Sequence, residues 1–528
     1  MSNFDTLRRL LPFYFYFMCS IGGIIHGSGI EKMIDIQKHR APDSFGFYKD
    51  DDIELGMGRL KILDLSSPGL CPYQEDQFVL SYNGEIYNYI ELKEELRAHG
   101  WKFRTTSDTE VLLKSWRQWG VGMFDKLNGM FAIALYDKRK KQLLLARDIA
   151  GEKPLYYYQR GALFAFTSEA KALQGVVPLE SRQDRFFEAF QHVHGETLWK
   201  HVHALPPAHY LLYDLAKDTY AIKEYWDFKP RNIRTETALE ELEELLEDAV
   251  RIRTRSDVPY SLYYSGGIDS SLISTFHDFR EKFFFDNTLD WKDDFFTTID
   301  KIVWHLDFPV GSLSSYPLWK LASWASEKVK VVLSGEGADE IFGGYVRYLP
   351  VAREWELRTH FPSYNTYLFA KYFRYFSYLD AFAALTARND DIEFVRETLR
   401  PYFERFEDPI TAMGYADFKL IMPSLLQMGD RMAGAFGIEN RCPFLDRRII
   451  EFGFSLPPEL KINGLEQKIM LRRLLEKRGL LEPLQGEKKG LTIVFNQWFG
   501  KKDWDRGAYF DFLKEGWGRQ FAQKNESR

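Results

Sequence analysis

Cysteine is scarce in this chain: three residues in 528, Cys19, Cys71 and Cys442, an odd set without metal-ligand or disulfide-framework spacing. Such usage suits free thiols in a reducing cytoplasm. Long apolar runs are missing too, none approaching the roughly 20 residues of a membrane-spanning helix. The first eighteen residues, MSNFDTLRRLLPFYFYFM, imitate a secretory signal only faintly, because Pro12 interrupts a short apolar run and Met18 is not the small residue a cleavage site wants. Neither sign of charge dominates: the formal net charge is -6, spread along the chain, so neither nucleic acid nor an acidic membrane surface is an expected partner. Small-molecule substrates are.

What is present is an ordinary globular composition, 45% apolar and 16% aromatic, in a chain long enough for two or three domains. From Cys19 to about Asp214 short apolar runs (CSIGGII, FVLSYNGEIYNY, MFAIALYD, QLLLARD) alternate with turn residues, and IELKEELRAHG and DTEVLLKSWRQWG carry helical periodicity. This predicts an α+β domain of stacked antiparallel sheets with flanking helices over residues 19–215. A polar linker is expected over 216–236, then an α/β domain over 237–515 with a parallel sheet and a helix-rich C-terminal part, and a tail over 516–528. Residues 1–18 read as a leader or a mis-assigned start.

In the second half, SLYYSGGIDSS runs from an apolar strand through Ser265-Gly266-Gly267 into a helix opening near Asp269. Glycines admit a phosphate close to the backbone, and the first amides of a helix offer it unpaired N–H donors. The lysine of the ordinary P-loop is absent. Asp269 suits a magnesium ion held jointly by carboxylate and phosphate oxygens. A second strand and turn, VVLSGEGADE, brings Ser334, Gly335, Glu336 and Asp339 to the same kind of strand end, and two such turns frame a ligand crevice at the switch point of a parallel sheet.

SGGIDSS resembles the motif of the ATP pyrophosphatases, and with LSGEGADEIFGGY and ENRCPFLDRRIIEF the second half resembles the synthetase domain of glutamine-dependent asparagine synthetases. The resemblance implies that aspartate attacks the α-phosphorus of ATP, that ammonia displaces AMP from the acyl-adenylate, and that ATP and Mg2+ are required. It implies ATP contacts from Tyr263, Ser265, Gly266, Gly267, Asp269, Ser270, Ser334 and Gly335, metal contacts from Asp269 and Asp339, and catalytic roles for Glu336 and Lys468.

The first half is similar to the glutaminase domain of the same family. There the cysteine is the first residue of the mature protein and its own α-amino group is the base, which is the role implied for Cys19. In YNGEIYN, Asn83 and Gly84 match the oxyanion hole; Arg59 in LGMGRLKILD matches the arginine that grips the glutamine carboxylate, with the backbone near Ile62 lining the pocket; Glu85 and Asp108 match the acids holding the α-amino group. Cys71 and Cys442 read as small core hydrophobes.

Three features depart from the family. Ala41 stands in HRAPD where relatives usually have glycine. Residues 272–302 are too short for the adenine-binding strand and the helix that follows it in relatives, so a strand and a helix are expected to be missing. The leader precedes Cys19. An amidotransferase acting on another carboxylate, or a paralogue with impaired ATP binding, stays open beside the leading expectation of a cytoplasmic asparagine synthetase with an ammonia path between two sites; a homodimer is left open.

Overall fold

The computed structural model describes residues 18–41, 43–66, 71–182, 190, 195–286, 292–310, 312–361, 377–387, 390–485 and 506–522. The expected leader, residues 1–17, lies outside them. The first half is a four-layer sandwich built on two six-stranded sheets whose neighbours pair antiparallel, as expected. The strands are β1 (Ser20–Ile25), β2 (Ser44–Lys49), β3 (Ile53–Arg59), β4 (Tyr73–Glu75), β5 (Phe78–Ile86), β6 (Gly129–Asp137), β7 (Gln142–Arg147), β8 (Tyr156–Arg160), β9 (Leu163–Thr167), β10 (Val202–Ala204), β11 (His209–Asp214) and β12 (Thr219–Glu224). One sheet runs β10-β8-β9-β1-β3-β2 and the other β12-β11-β7-β6-β5-β4.

Period-two alternation puts Ile21, Ile25, Leu55, Met57, Val79, Ala132, Leu143, Leu145, Phe164 and Phe166 between the sheets. The outer face of the second sheet is covered by the helices Tyr89–Ala98 and Asp108–Trp119, through Leu92, Leu96, Val111 and Leu112. Both faces of β5 are therefore buried at all nine positions, which explains why its motif residues can be polar and still dry.

The second half carries a four-stranded parallel sheet in the order β14-β13-β15-β16, with β13 at Tyr260–Tyr263, β14 at Lys282–Phe283, β15 at Val331–Leu333 and β16 at Glu439–Arg441. Helices dominate beyond it. Among the described residues no helix is long and apolar enough to cross a membrane.

Three details differ from the sequence expectation. The segment expected to lack a strand and a helix holds both: β14 pairs with β13 over two residues, and the helix Lys292–Leu306 follows. Two residues are too few to write an alternation, and Arg280, Glu281 and Lys282 interrupt the apolar pattern. The stretch expected as linker contains β12, paired with β11 from Thr219 to Glu224. All six of its residues are exposed, so burial left no pattern to read. Within the expected tail, Trp517 and Phe521 are buried against Trp199, whose ring centroid lies 4.9 Å from that of Trp517.

Asp446 joins the halves. It caps the helix Arg447–Ser455 through the Arg448 N–H at 3.0 Å, and accepts from Arg253 Nη1 at 3.0 Å and from Asn128 Nδ2, on the first half, at 2.8 Å. It is fully buried, and although burial opposes ionisation, Arg253 and Arg448 hold its carboxyl well below the usual range. Removing the charge leaves Arg253 buried beside a neutral partner, so Asp446→Asn should lower the urea-unfolding free energy by about 3–5 kcal/mol. A loss below about 1 kcal/mol would contradict this role.

Candidate active site

Two clusters sit at the seam between the halves. In the first, Cys19 directly precedes β1, and its Sγ accepts the N–H of Leu60, just past β3, at 3.3 Å. Leu60 carries no chemical signal in the sequence beyond its place after Arg59. Burial pushes the thiol up to about 12, helped by Glu439 and Glu85 and opposed by the Leu60 N–H and Arg59. The nitrogen of Cys19 is in peptide linkage to Met18, itself buried.

Asn83 and Gly84 lie on β5, which packs on β1 and β3. Both polar atoms of the Asn83 side chain are buried with no hydrogen-bond partner among the described residues. An orphaned buried amide costs about 1–3 kcal/mol unless something else binds there. Gly84 has φ +147°, and a Cβ on it would fall 2.0 Å from the Met130 carbonyl oxygen, so no other residue fits. Arg59 is positioned by its Nη2, which donates to the carbonyls of Leu63 at 2.8 Å and Asp64 at 3.0 Å. The Ile62 carbonyl accepts the Asp257 N–H at 3.0 Å, tying this wall to the second half.

Two carboxyls face the same region. Asp108 accepts from the Tyr82 hydroxyl at 2.9 Å and the Ile86 N–H at 3.0 Å, and burial raises it. Glu85 is raised well above its ordinary value by burial and by Asp108, against the pull of Arg441, whose Nη2 stands 3.5 Å away. Ala41, the departure in HRAPD, is fully buried, and next to it Arg40 donates from Nε to the Cys19 carbonyl at 3.1 Å.

In the second cluster, the two glycine-rich turns meet at the C-terminal ends of β13 and β15. A Cβ on Gly335 would come 2.7 Å from Asp269 Cβ, so the turns touch only because this residue has none. The Ser265 N–H donates to Ser270 Oγ at 3.1 Å and the Gly267 N–H to Ser265 Oγ at 3.3 Å, shaping the loop, while a Cβ on Gly266 would meet nothing within 4 Å. The buried Tyr263 hydroxyl has no partner among the described residues. Ser334 donates its N–H to the Arg441 carbonyl at 3.0 Å.

Lys468 reaches both oxygens of Asp269, at 2.7 and 2.6 Å, and Asp339 Oδ1 at 2.7 Å. Burial disfavours its charge, but the two carboxylates more than compensate and raise it. Two carboxylates beside an open glycine-rich loop are a donor set that Mg2+ takes when phosphate oxygens complete its shell, so the residue types fit a Mg2+ nucleotide.

Glu336 accepts from Asn440 Nδ2 at 3.1 Å and from Cys442 Sγ at 3.5 Å, and burial pushes its carboxyl up to about 7. Cys442 is buried, yet it touches this carboxyl instead of being inert core filling. Neither it nor Asn440 carried a chemical signal in the sequence. Cys71 is half-buried and donates to the Met57 carbonyl at 2.8 Å. A cavity of about 10 Å3 lies between the clusters, lined by Met18 from the first and by Glu336, Asn440 and Cys442 from the second.

A family model for a glutamine amidotransferase domain matches residues 18–226, and one for asparagine synthase matches 241–282 and 287–508. Asparagine synthetase [glutamine-hydrolyzing] 1 of Bacillus subtilis (strain 168) is 30% identical over 536 residues, covering 89% of this chain and 84% of its own length. Asparagine synthetase [glutamine-hydrolyzing] 3 of the same organism is 30% identical over 518 residues, covering 85% and 81%. A solved glutamine phosphoribosylpyrophosphate amidotransferase from B. subtilis aligns with a TM-score of 0.32 at 15% identity over 48% of this chain and 62% of its own, too slight a likeness to build on.

Glu336 makes the pH dependence of stability testable. Its folded pKa lies above the ordinary glutamate value of about 4.3, so the stability it contributes is fully present below that value and is lost as pH rises through 7. Glu336→Gln does not titrate. Relative to the parent, the variant should therefore gain up to about 3 kcal/mol between pH 4 and pH 8, at about 1.4 kcal/mol per pKa unit. Parallel pH curves in denaturant titrations would refute the buried, neutral carboxyl.

Proposed function

The chain belongs to the glutamine-hydrolysing asparagine synthetase family and is a glutamine-dependent carbon–nitrogen ligase, and on that premise we propose that it amidates aspartate through a β-aspartyl-AMP intermediate. The observation that carries this reading is the cavity, which is lined on one side by the residue bonded to Cys19 and on the other by Glu336. Two chemistries that share only ammonia need such a link.

At the first cluster the Cys19 thiolate attacks the amide carbon of glutamine. Arg59 takes the α-carboxylate, Glu85 and Asp108 the α-ammonium, and the Asn83 amide with the Gly84 N–H receives the oxyanion, which accounts for an asparagine left without protein partners. The base is the α-amino group that Cys19 acquires when the Met18–Cys19 bond is cut; with that bond intact the thiol stays protonated near neutrality.

At the second cluster the β-carboxylate of aspartate attacks the α-phosphorus of ATP and pyrophosphate departs. Ser265, Gly266, Gly267, Ser270, Ser334 and Gly335 cradle the phosphates, Tyr263 ends the strand beneath them, and Lys468 offsets the charge that develops on the leaving group. Asp269 and Asp339 would hold Mg2+, whose chemistry there is neutralisation of the polyphosphate. Glu336 stands beside the acyl-adenylate as ammonia arrives.

Purified mature protein should convert aspartate, ATP and glutamine to asparagine, AMP, pyrophosphate and glutamate. Release of ADP, or no asparagine even with ammonium supplied, overturns the reading. Cys19→Ala should abolish glutamine-dependent synthesis and leave ammonium-dependent synthesis within twofold of the parent; equal loss of both would remove Cys19 from its role. Because β14 is so short, nucleotide binding deserves its own check: ATP with Mg2+ at 100 times its Kd should stabilise the fold by about 2.7 kcal/mol, read as a rise in Tm.

A further inference from the structure

Glu152 belongs to the loop between β7 and β8 in the first half, yet its side chain lines the same cavity as Glu336 in the second. The loop is pinned: the Glu152 N–H donates to Asp148 Oδ1 at 2.9 Å, and the Lys153 N–H to Asp148 Oδ2 at 2.9 Å. The side chain is only 7% exposed, and its Oε2 is buried without a hydrogen-bond partner among the described residues. A buried carboxyl oxygen left unpaired is costly, and such a group calls for a ligand.

The cavity, at about 10 Å3, has room for the centre of one water-sized molecule. Ammonia has that size. Glu336 is the less available of the two carboxyls, since Asn440 and Cys442 already engage its Oε2. Burial and the neighbouring Asp148 push the Glu152 carboxyl up to about 8, with Glu336 adding to the rise and Arg253 and Lys153 opposing it. The Cys442 thiol and the buried Tyr87 hydroxyl also sense the Glu152 charge, which raises both. A proton acceptor works best when its pKa lies near the working pH.

We propose that Glu152, supplied by the glutaminase half, is a catalytic residue of the synthetase half: it holds ammonia in the cavity and accepts the proton that the nitrogen sheds as it joins the activated carboxyl carbon. The inference rests on the function proposed above. The ammonia lone pair forms the C–N bond to the β-carbonyl carbon of aspartyl-AMP while the carbonyl π pair moves to oxygen. One N–H bond then breaks, its proton forming an O–H bond with the ionised Glu152 carboxylate. The carbonyl re-forms, the bond to the phosphate oxygen breaks, and AMP leaves with that electron pair.

The test is Glu152→Gln in the protein processed to Cys19 with both halves intact, an isosteric change. Three rates are measured: glutamine hydrolysis, aspartate-dependent exchange of pyrophosphate into ATP, and asparagine formation from glutamine and from ammonium. The first two should stay within twofold of the parent, while asparagine formation from either nitrogen source falls about 100-fold or more, the usual worth of a general base. Glutamate should then accumulate far faster than asparagine, and Glu152→Asp should restore part of the loss. Asparagine formation within threefold of the parent overturns the inference, and so does a parallel fall of all three rates, which would mark a structural residue. A parent protein that exchanges pyrophosphate but never forms asparagine overturns the underlying function as well, and is told apart by needing no variant.

Discussion

The contact on which both clusters depend is the buried pair of Arg40 and Asp430. Arg40 sits on the first half four residues before β2, Asp430 on the helix Met422–Gly434 of the second, and they meet bidentately at 2.8 and 3.1 Å with both side chains essentially dry. Taking two charges out of water costs several kcal/mol per ion and is recovered only when the geometry is good and further hydrogen bonds engage the charged groups. Here they are shared: Glu169 accepts from Arg40 and from Arg431, each at 3.1 Å, and pairs with Lys171 at 2.6 Å. Burial works against the Glu169 charge, but His39, Lys171 and Arg431 outweigh it and hold the carboxyl well below its usual range. The same Arg40 grips the Cys19 carbonyl. The seam therefore has one register, and in that register Cys19 is fixed relative to the helix that walls the cavity.

Strand β16 turns this register into a link between sites. Alternation sends neighbouring side chains to opposite faces, so Arg441 and Asn440 serve different clusters. Arg441 stands beside Glu85, while Asn440 donates to Glu336. Arg441 is held in turn by the carbonyls of Arg253 and Arg255 and by Glu439. The Glu85 carboxyl, which the proposed function gives to the glutamine α-ammonium, thus has a guanidinium from the other half within 3.5 Å, and the electrostatics of the first cluster are partly set by the second.

How much of this could be read from the sequence follows from what each element needed. The glycine-rich turn after β13 was legible because glycine and serine between an apolar run and a helix mark a tight turn, and Ser265 to Ser270 form it. The helices Tyr89–Ala98 and Asp108–Trp119 were legible because one face of each is apolar. The edge strands β12 and β14 were not: one is exposed at every position and the other spans two residues, so burial wrote nothing into their pattern. Lys468 between Asp269 and Asp339, Asn440 and Cys442 on Glu336, and Glu152 opposite them are long-range pairings. No local propensity encodes those, and they exist only after the halves have docked.

The cysteine brings these threads together. A peptide nitrogen has no basic lone pair, and the pocket that buries the Cys19 thiol also pushes its pKa up to about 12, so the same desolvation that would sharpen a nucleophile keeps it silent without a base in contact. Met18 is bonded to the nitrogen that becomes that base on the function proposed above, and it lines the cavity that reaches Glu336. On the proposed function, one peptide bond thus governs two requirements at once: breaking it would supply the amine that activates the thiol and vacate space on the side from which ammonia would leave.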